Sequence, residues 1–390
     1  MNPSLRIAAF GFRSFPPRAG AAGADKFIEE LLPRLATRGH KVVAYNRIYA
    51  GEAKPAPGKV KGVEVIAVRT FRRSGIEALW HSAKATWDII IHNRADIVHI
   101  QNGGNTPFAI ILRLFGKKTF LSQDGKEWER GKWSAIGKSY LWCSMLLSAF
   151  VYNEVIFDNI FTREFFEKRF KRKYAFIPFG ADVSYDPNSE RILDKLGLTP
   201  GSYFLFVGRF IPDKGLHYLV AAYSRLNTDK QLVLIGGSPH PSEYEKSLLA
   251  CKDPRVRFPG YVYGSEVHAL MRNCYAYVQP SDIEGLSPVI LESAYVGAPV
   301  ICSDIEANQY ALHEHGIYFA KSNPEDLAAK LEAALKDPIW LRAQGEAQRQ
   351  YVEAQFSWDR VVEEHLRVFL NEGPDEVRLD ERKSAPRTNR

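Results

Sequence analysis

The sequence predicts an α/β protein built from two doubly wound, Rossmann-like domains in tandem, facing each other across a cleft. Three observations lead there. The chain has 390 residues, more than the ~250–300 at which a single hydrophobic core stops growing. Short apolar runs alternate with amphipathic helical stretches, the pattern of parallel strands covered by helices. That alternation runs once to about residue 180, is interrupted by a turn-rich segment at 178–189, and then begins again.

In the first series, residues 6–10, 42–45, 63–68 and 97–101 read as strands, rich in Val and Ile, with helices between most of them. Residues 119–122, 155–158 and 174–177 continue the pattern, each after a helical stretch. The second series comprises 203–207, 231–235, 255–258, 275–279, 300–303 and 316–319. From Pro324 to about Leu370 the periodicity is helical, and 372–390 is charged, contains proline and lacks large apolar residues, so a disordered tail is expected. The predicted boundaries are 1–180 for the first domain, 181–355 for the second, 356–371 for a helix returning to the first, and 372–390 for the tail. Ligands of doubly wound sheets bind beyond the carboxyl ends of the strands, so functional residues are sought in the loops there.

Apolar residues are 45% of the chain and charged residues 25%, ordinary for a folded enzyme and remote from a disordered chain. No signal peptide is read at the N-terminus. The most apolar stretch, 140–161, is broken by Asn153, Glu154, Asp158 and Asn159, too often for a membrane span of roughly 20 residues. Cys143, Cys251, Cys274 and Cys302 show no metal-ligand or paired spacing, which fits reduced thiols in a cytoplasmic protein. The net charge of +7 suggests an anionic partner without naming it.

The most informative segment is S-D-I-E-G-L-S-P-V-I-L-E at 281–292, which follows a strand ending near Gln279. Ser287 and Pro288 form a helix start, N-cap followed by proline at the first helical position, and Gly297 suits its end. Glu284 then lies in the loop before the helix and Glu292 in its second turn. The amides of Leu286 and Ser287 are free to receive a diphosphate at the positive end of the helix dipole. A second segment, V-G-R-F-I-P-D-K-G at 207–215, ends a strand and opens a helix. Gly208 lets the backbone turn close to a ligand, while Arg209 and Lys214 set two cations in one loop. A lysine near a helix N-terminus opposes the dipole unless an anion sits there.

The 284–292 string resembles the E-x7-E signature of the retaining glycosyltransferases of family 4, which have the GT-B fold. The resemblance implies that Glu284 contacts hydroxyls of a donor sugar, that Glu292 binds the ribose of its nucleotide, and that Arg209 and Lys214 neutralise the diphosphate leaving group. It extends to L-I-G-G-S at 234–238 and F-P-G-Y-V at 258–262, similar to the family's nucleotide-base loops, with Gly236 and Val262 as donor-binding positions. Gly23, in the loop after the first strand, matches the second glycine of the family's Gly-Gly-Ala-Glu loop. Ala22 stands where a first glycine is usual and Asp25 where glutamate is usual. D-G-K-E-W-E-R-G-K-W at 124–133 follows another strand of the first domain. It offers Asp124 as a catalytic candidate, and Glu127, Trp128, Arg130 and Trp133 as acceptor-side candidates, because tryptophan plus carboxylate is a frequent way to hold a sugar. Many relatives carry histidine where Asp124 stands. This segment, with G-F-R-S-F-P-P at 11–17, is similar to a subgroup that includes bacterial rhamnosyltransferases of polysaccharide assembly.

The expected activity is transfer of a hexose or deoxyhexose, rhamnose among them, from a nucleotide-diphosphate sugar to a glycan acceptor such as a lipid-linked intermediate. No D-x-D metal clamp occurs, so no metal or cofactor is expected. No nucleic acid partner is expected either. Alternatives are a nucleotide-sugar epimerase or hydrolase of the same fold, and a noncatalytic nucleotide-sugar-binding protein. Basic clusters at Arg69, Arg72 and Arg73, at Lys117 and Lys118, and at 168–173, the last beside Phe161, Phe165, Phe166 and Phe170, suggest peripheral contact with anionic lipid at the inner face of the cell membrane.

Overall fold

A computed structural model describes residues 4–17, 23–49, 51–52, 58–71, 75–123, 125, 127–129, 133–237 and 242–371. The chain divides into two compact units, one formed by Met1–Pro178 with Asp359–Arg390, the other by Phe179–Trp358. The segment 372–390, expected to be disordered, lies outside the described residues.

The first unit contains β1 (Arg6–Phe10), α1 (Gly23–Thr37), β2 (Lys41–Tyr49), β3 (Lys59–Val60), β4 (Val63–Thr70), α2 (Ile76–Ile91), β5 (Ile97–Gln101), α3 (Thr106–Leu114), β6 (Lys118–Gln123), α4 (Ala135–Val151), β7 (Glu154–Phe157), α5 (Ile160–Phe170) and β8 (Ala175–Phe176). The strands form one sheet in the order β3-β4-β2-β1-β5-β6-β7-β8. Among the described strand pairs only β3–β4 is antiparallel; the others are parallel, most of them joined through helices and β2 to β4 through the segment that holds β3. Alternate residues of a strand face opposite sides. Val98 and Ile100 of β5 join the core under α2, α3, α4 and α5.

The second unit contains α6 (Arg191–Leu196), β9 (Tyr203–Arg209), α7 (Leu216–Tyr223), β10 (Gln231–Gly237), α8 (Glu243–Leu249), β11 (Val256–Gly260), α9 (Ser265–Asn273), β12 (Ala276–Gln279), α10 (Pro288–Tyr295), β13 (Val300–Ser303), α11 (Glu306–Leu312), β14 (Ile317–Phe319), α12 (Pro324–Lys336) and α13 (Pro338–Gln355). Its six strands run in the order β11-β10-β9-β12-β13-β14, all parallel. Both faces are buried: Tyr203, Leu205, Val233 and Tyr277 join one apolar cluster, and Phe204, Phe206, Leu232 and Val278 join the other. Strands covered on both sides read as continuous apolar runs, which is how they stood out in the sequence. The strand order reverses between β9 and β12, and in such a sheet the crevice beyond their carboxyl ends is where ligands bind.

The last helix, α14 (Trp358–Leu370), brings the chain back to the first unit from Asp359 onward. His365 and Phe369 pack there on the side of β5 and β6 opposite α3, with ring centroids of His365 and Phe369 each 5.5 Å from that of His99. Burial keeps both histidines neutral, holding His99 well below the ordinary range and His365 at about 4.

Candidate functional site

In the second unit the loops after β9 and β12 meet at the switch point. β9 ends at Arg209, a single 3₁₀ turn covers Pro212–Lys214, and Gly215 opens α7 in a left-handed conformation with φ of +66°. A side chain at Gly215 would run into the carbonyl oxygen of Pro280, so the two loops touch backbone to backbone. Asp282 N–H donates to the Asp213 carbonyl at 2.9 Å and reinforces the contact.

This approach delivers Lys214 to Glu284. The ammonium forms a short ion pair with Glu284 Oε1, and both side chains are largely shielded. The same oxygen accepts from Gln279 Nε2 at 2.6 Å and from Ser281 Oγ at 2.7 Å. Three donors on one oxygen fix the carboxylate plane and leave Oε2 as its open acceptor among the described residues. Gln279 is itself oriented, because its Oε1 accepts the Tyr277 hydroxyl. Burial and the neighbouring carboxylates Glu284 and Glu292 hold Tyr277 well above the ordinary phenol range, so it stays a donor. Behind Ser281, its carbonyl accepts from Ser303 Oγ at 2.5 Å, and Asn308 Nδ2 donates to Ser303 Oγ at 3.1 Å.

α10 starts as the sequence indicates, with Ser287 at the N-cap, Pro288 at the first helical position and Gly297 beyond the end at φ +85°. The Ser287 hydroxyl makes no capping bond. Neither Leu286 N–H nor Ser287 N–H donates to a described residue, so the helix start presents open donors. Glu292, in the second turn, faces His268 of α9, Oε2 to Nε2 at 3.4 Å.

The expected cation pair divides. Lys214 is committed to Glu284, so the anion that its place beside a helix start demands is a carboxylate of the chain itself. Arg209 is exposed and pairs with no described residue through its side chain. Near it, Gly208 and Gly236 are adjacent in the β9–β10 register, and a side chain at Gly236, with φ of +129°, would strike the Gly208 carbonyl. Val262 and Leu286 pack half-buried against one core of the unit. Sequence reasoning missed Gln279, Ser281, Tyr277 and His268. The one signal was an amide ending an apolar strand, A-Y-V-Q.

In the first unit the acceptor-side expectations fare differently. Asp124 and Arg130 lie outside the described residues. Trp128 is 8% exposed and packed against Trp142 and Phe165, which makes it a core anchor and corrects the reading of an accessible sugar platform. Glu127 is buried and accepts from Trp133 Nε1 at 3.3 Å, so these two side chains engage each other. Gly23 begins α1 with open space around it, and Asp25 is buried, accepting from Arg13 N–H at 2.7 Å and Ser14 N–H at 3.2 Å. Of the phenylalanines beside the basic run at 168–173, Phe166 is fully buried while Phe165 and Phe170 pack half-buried on the same core. Arg72 and Arg73 lie outside the described residues. Among the described residues no group of three or more His, Cys, Asp or Glu side chains could hold a metal ion, and no helix is long and apolar enough to cross a membrane.

Two α/β units with parallel sheets, the second carrying its polar constellation at the switch point, define a GT-B fold. Solved structures agree: sucrose-phosphate synthase from Thermosynechococcus elongatus superposes with a TM-score of 0.77 over 94% of this chain and 98% of its own, at 20% identity. HepE of Anabaena, in complex with UDP and glucose, gives 0.74 over 94% and 100%, at 14% identity. More particularly, residues 188–355, within the second unit, match the model of the family described as glycosyl transferases group 1. Among curated proteins, O-antigen chain mannosyltransferase C of Escherichia coli is 26% identical over 212 residues, 52% of this chain and 56% of that protein. Glycogen synthase of Mycobacterium tuberculosis is 28% identical over 172 residues, 43% of this chain and 42% of that protein. The matches thus span about half the length of these curated relatives.

Proposed function

We propose that the chain is a retaining, metal-independent glycosyltransferase that moves a hexose or deoxyhexose from a nucleotide-diphosphate sugar to a glycan acceptor. The observation that carries this reading is the constellation at the β9–β12 switch point: one carboxylate, Glu284, with its plane fixed by three donors, next to open helix-start amides, one of those donors being Lys214 from the same loop as Arg209, whose side chain pairs with no described residue.

In this reading the diphosphate lies against the amides of Leu286 and Ser287, with Arg209 and the remaining N–H groups of Lys214 balancing its charge. Cleavage of the sugar–phosphate bond develops charge on the departing oxygen, and preorganised donors of this kind contribute ~10²–10³ each to rate. Glu284 Oε2 accepts from hydroxyls of the donor sugar. Glu292 accepts from the ribose diol, with His268 holding its carboxylate. Retention follows if the acceptor hydroxyl attacks on the leaving-group face and passes its proton to the departing phosphate. The O-antigen chain mannosyltransferase and the glycogen synthase among the relatives support a glycan acceptor, and a lipid-linked intermediate is one acceptor of that class. Rhamnose and mannose are both donors of the right class.

Product analysis tests the proposal. Purified protein with labelled nucleotide-diphosphate sugar and glycan acceptor should form a glycoside of unchanged anomeric configuration, in the presence of EDTA, and Glu284→Gln should abolish it while leaving the fold intact. Conversion of the donor in the absence of any acceptor would assign an epimerase or hydrolase instead.

A further inference from the structure

α2, α3 and α4 cover one face of the first unit's sheet, and their inner sides bury Ala85, Ile89, Ala109, Leu112, Leu141 and Met145. Their outer sides are unusual. On α2 the solvent-facing stripe is Ile76, Trp80, Trp87 and Ile91, spaced by four, seven and four residues, whereas the side facing the sheet takes in His81, Ser82 and Thr86. A surface helix ordinarily shows the opposite distribution. α3 continues the outward apolar face with Ile110, Ile111 and Leu114, and α4 with Ile136, Leu147 and Phe150. Leu114, Ile136 and Phe150 are 80%, 84% and 77% exposed. α2 packs beside α3 and α3 beside α4, so the stripes lie next to one another. Single exposed apolar residues need no explanation, but a set contributed by three neighbouring helices marks an interaction surface.

The charge on α3 and α4 has one sign. Residues 106–123 and 133–153 contain no Asp or Glu, and they carry Arg113, Lys117, Lys118 and Lys138. On α2, Asp88 is engaged by Arg94 at 2.9 Å and Glu77 faces Arg47 at 3.6 Å, while Lys84 lies over the Trp80 ring at 5.2 Å. We infer that the α2–α3–α4 face docks on an anionic lipid bilayer. Trp80, Trp87 and Trp142 suit the headgroup level, the aliphatic and Phe side chains the acyl boundary, and the cations the lipid phosphates. A second copy of the chain fits less well, because a two-fold contact would set this cationic face against itself. The apolar contribution therefore comes from these helices, and the basic run 168–173 at the end of α5 borders them: the rings of Phe150 and Phe170 meet edge to face at 5.7 Å, and Arg172 Nη1 donates to the Ala149 carbonyl at 3.4 Å. The inference needs no nucleotide and stands apart from the donor reading.

Sedimentation of the full chain with phosphatidylcholine vesicles, with and without phosphatidylglycerol, tests it. The wild type should pellet with the anionic vesicles and be released by salt. Trp87→Ser, Leu114→Ser and Phe150→Ser combined should lower the partition at least about tenfold, since each removes apolar area that would enter the bilayer. A second variant, Arg113→Glu with Lys138→Glu, leaves every apolar contact in place and should lose the preference for anionic vesicles; circular dichroism melts check that both variants fold. Wild type remaining in the supernatant at low salt, or pelleting of the triple variant at the wild-type level, overturns the inference. So does a wild-type dimer that the triple variant converts to monomer without any vesicle binding. Nucleotide binding measured on the same samples keeps a failure of this inference distinct from a failure of the donor reading.

Discussion

Replacing Gln279 by leucine probes the site through a residue that touches no substrate in our reading. The side chain is 1% exposed, and leucine retains most of its volume. What disappears is the donor 2.6 Å from Glu284 Oε1, the donor 2.9 Å from Ser281 Oγ, and the acceptor of the Tyr277 hydroxyl. Tyr277 is left with only the Val207 carbonyl, at 3.4 Å. A stranded buried hydroxyl costs about 1–3 kcal/mol of stability, and a hydrogen bond to a charged group is worth about 1.5–3 kcal/mol. If Glu284 acts as proposed, loss of its anchor should lower kcat about ten- to a hundredfold, with the acceptor KM unchanged, in steady-state transfer assays run beside thermal melts. Gln279→Glu sharpens the test. It sets a second carboxylate against Glu284, the pair retains one proton to higher pH, and the protonated form alone can donate as the amide does. Its activity should therefore be greatest at low pH and decline as that proton is lost. Wild-type kcat in Gln279→Leu would refute the argument that this network positions Glu284.

Arg209→Gln should leave stability within about 0.5 kcal/mol, as for an exposed residue with no partner among the described residues, yet cut transfer ~10²-fold or more, whereas Lys214→Met should lower both because it also strips Glu284 of its counter-charge; denaturant melts and kinetics separate the two. Gly215→Ala should destabilise the second unit by more than about 1 kcal/mol, because it combines φ of +66° with a collision against Pro280, and urea titration reads the loss. Acid should weaken the first unit through its buried histidines. His81 is held at about 3 by burial and by Arg47, and His365 at about 4 by burial, against an ordinary 6.5. The unfolded chain binds these protons first, so their stabilisation is complete above pH 6.5 and declines as pH falls toward 4, by up to about 1.4 kcal/mol per histidine for each pH unit. Melting temperatures from pH 7 to 4.5 check it, and His365→Phe should flatten the dependence.

Much of this fold was legible because parallel strands buried on both faces are written as apolar runs, and Tyr203–Arg209 or Val300–Ser303 cannot be mistaken for surface. β3 was not legible: two exposed residues, Lys59 and Val60, carry no alternation, and their pairing is set by the hairpin with β4. Arg209 and Lys214 were found as two cations in the loop after a buried strand, and Glu284 and Glu292 as part of one string, the first before a capped helix start and the second in its second turn. Their partnership was not, since Lys214 and Glu284 are 70 residues apart and meet only through the Gly215–Pro280 approach. Trp128 shows the reverse error, because a tryptophan beside carboxylates reads the same whether it faces solvent or, as here, Trp142 and Phe165.

The central claim is that the second unit holds a nucleotide-diphosphate sugar at the ends of β9 and β12, and a thermal-shift panel of UDP, GDP, dTDP and ADP measures it most directly. One of the four should raise the melting temperature of the wild type, by an amount equivalent to about 2.7 kcal/mol at a hundred times its dissociation constant, and the shift should vanish in Arg209→Gln combined with Lys214→Met. No shift with any of them, or one that survives the double substitution, would contradict the account.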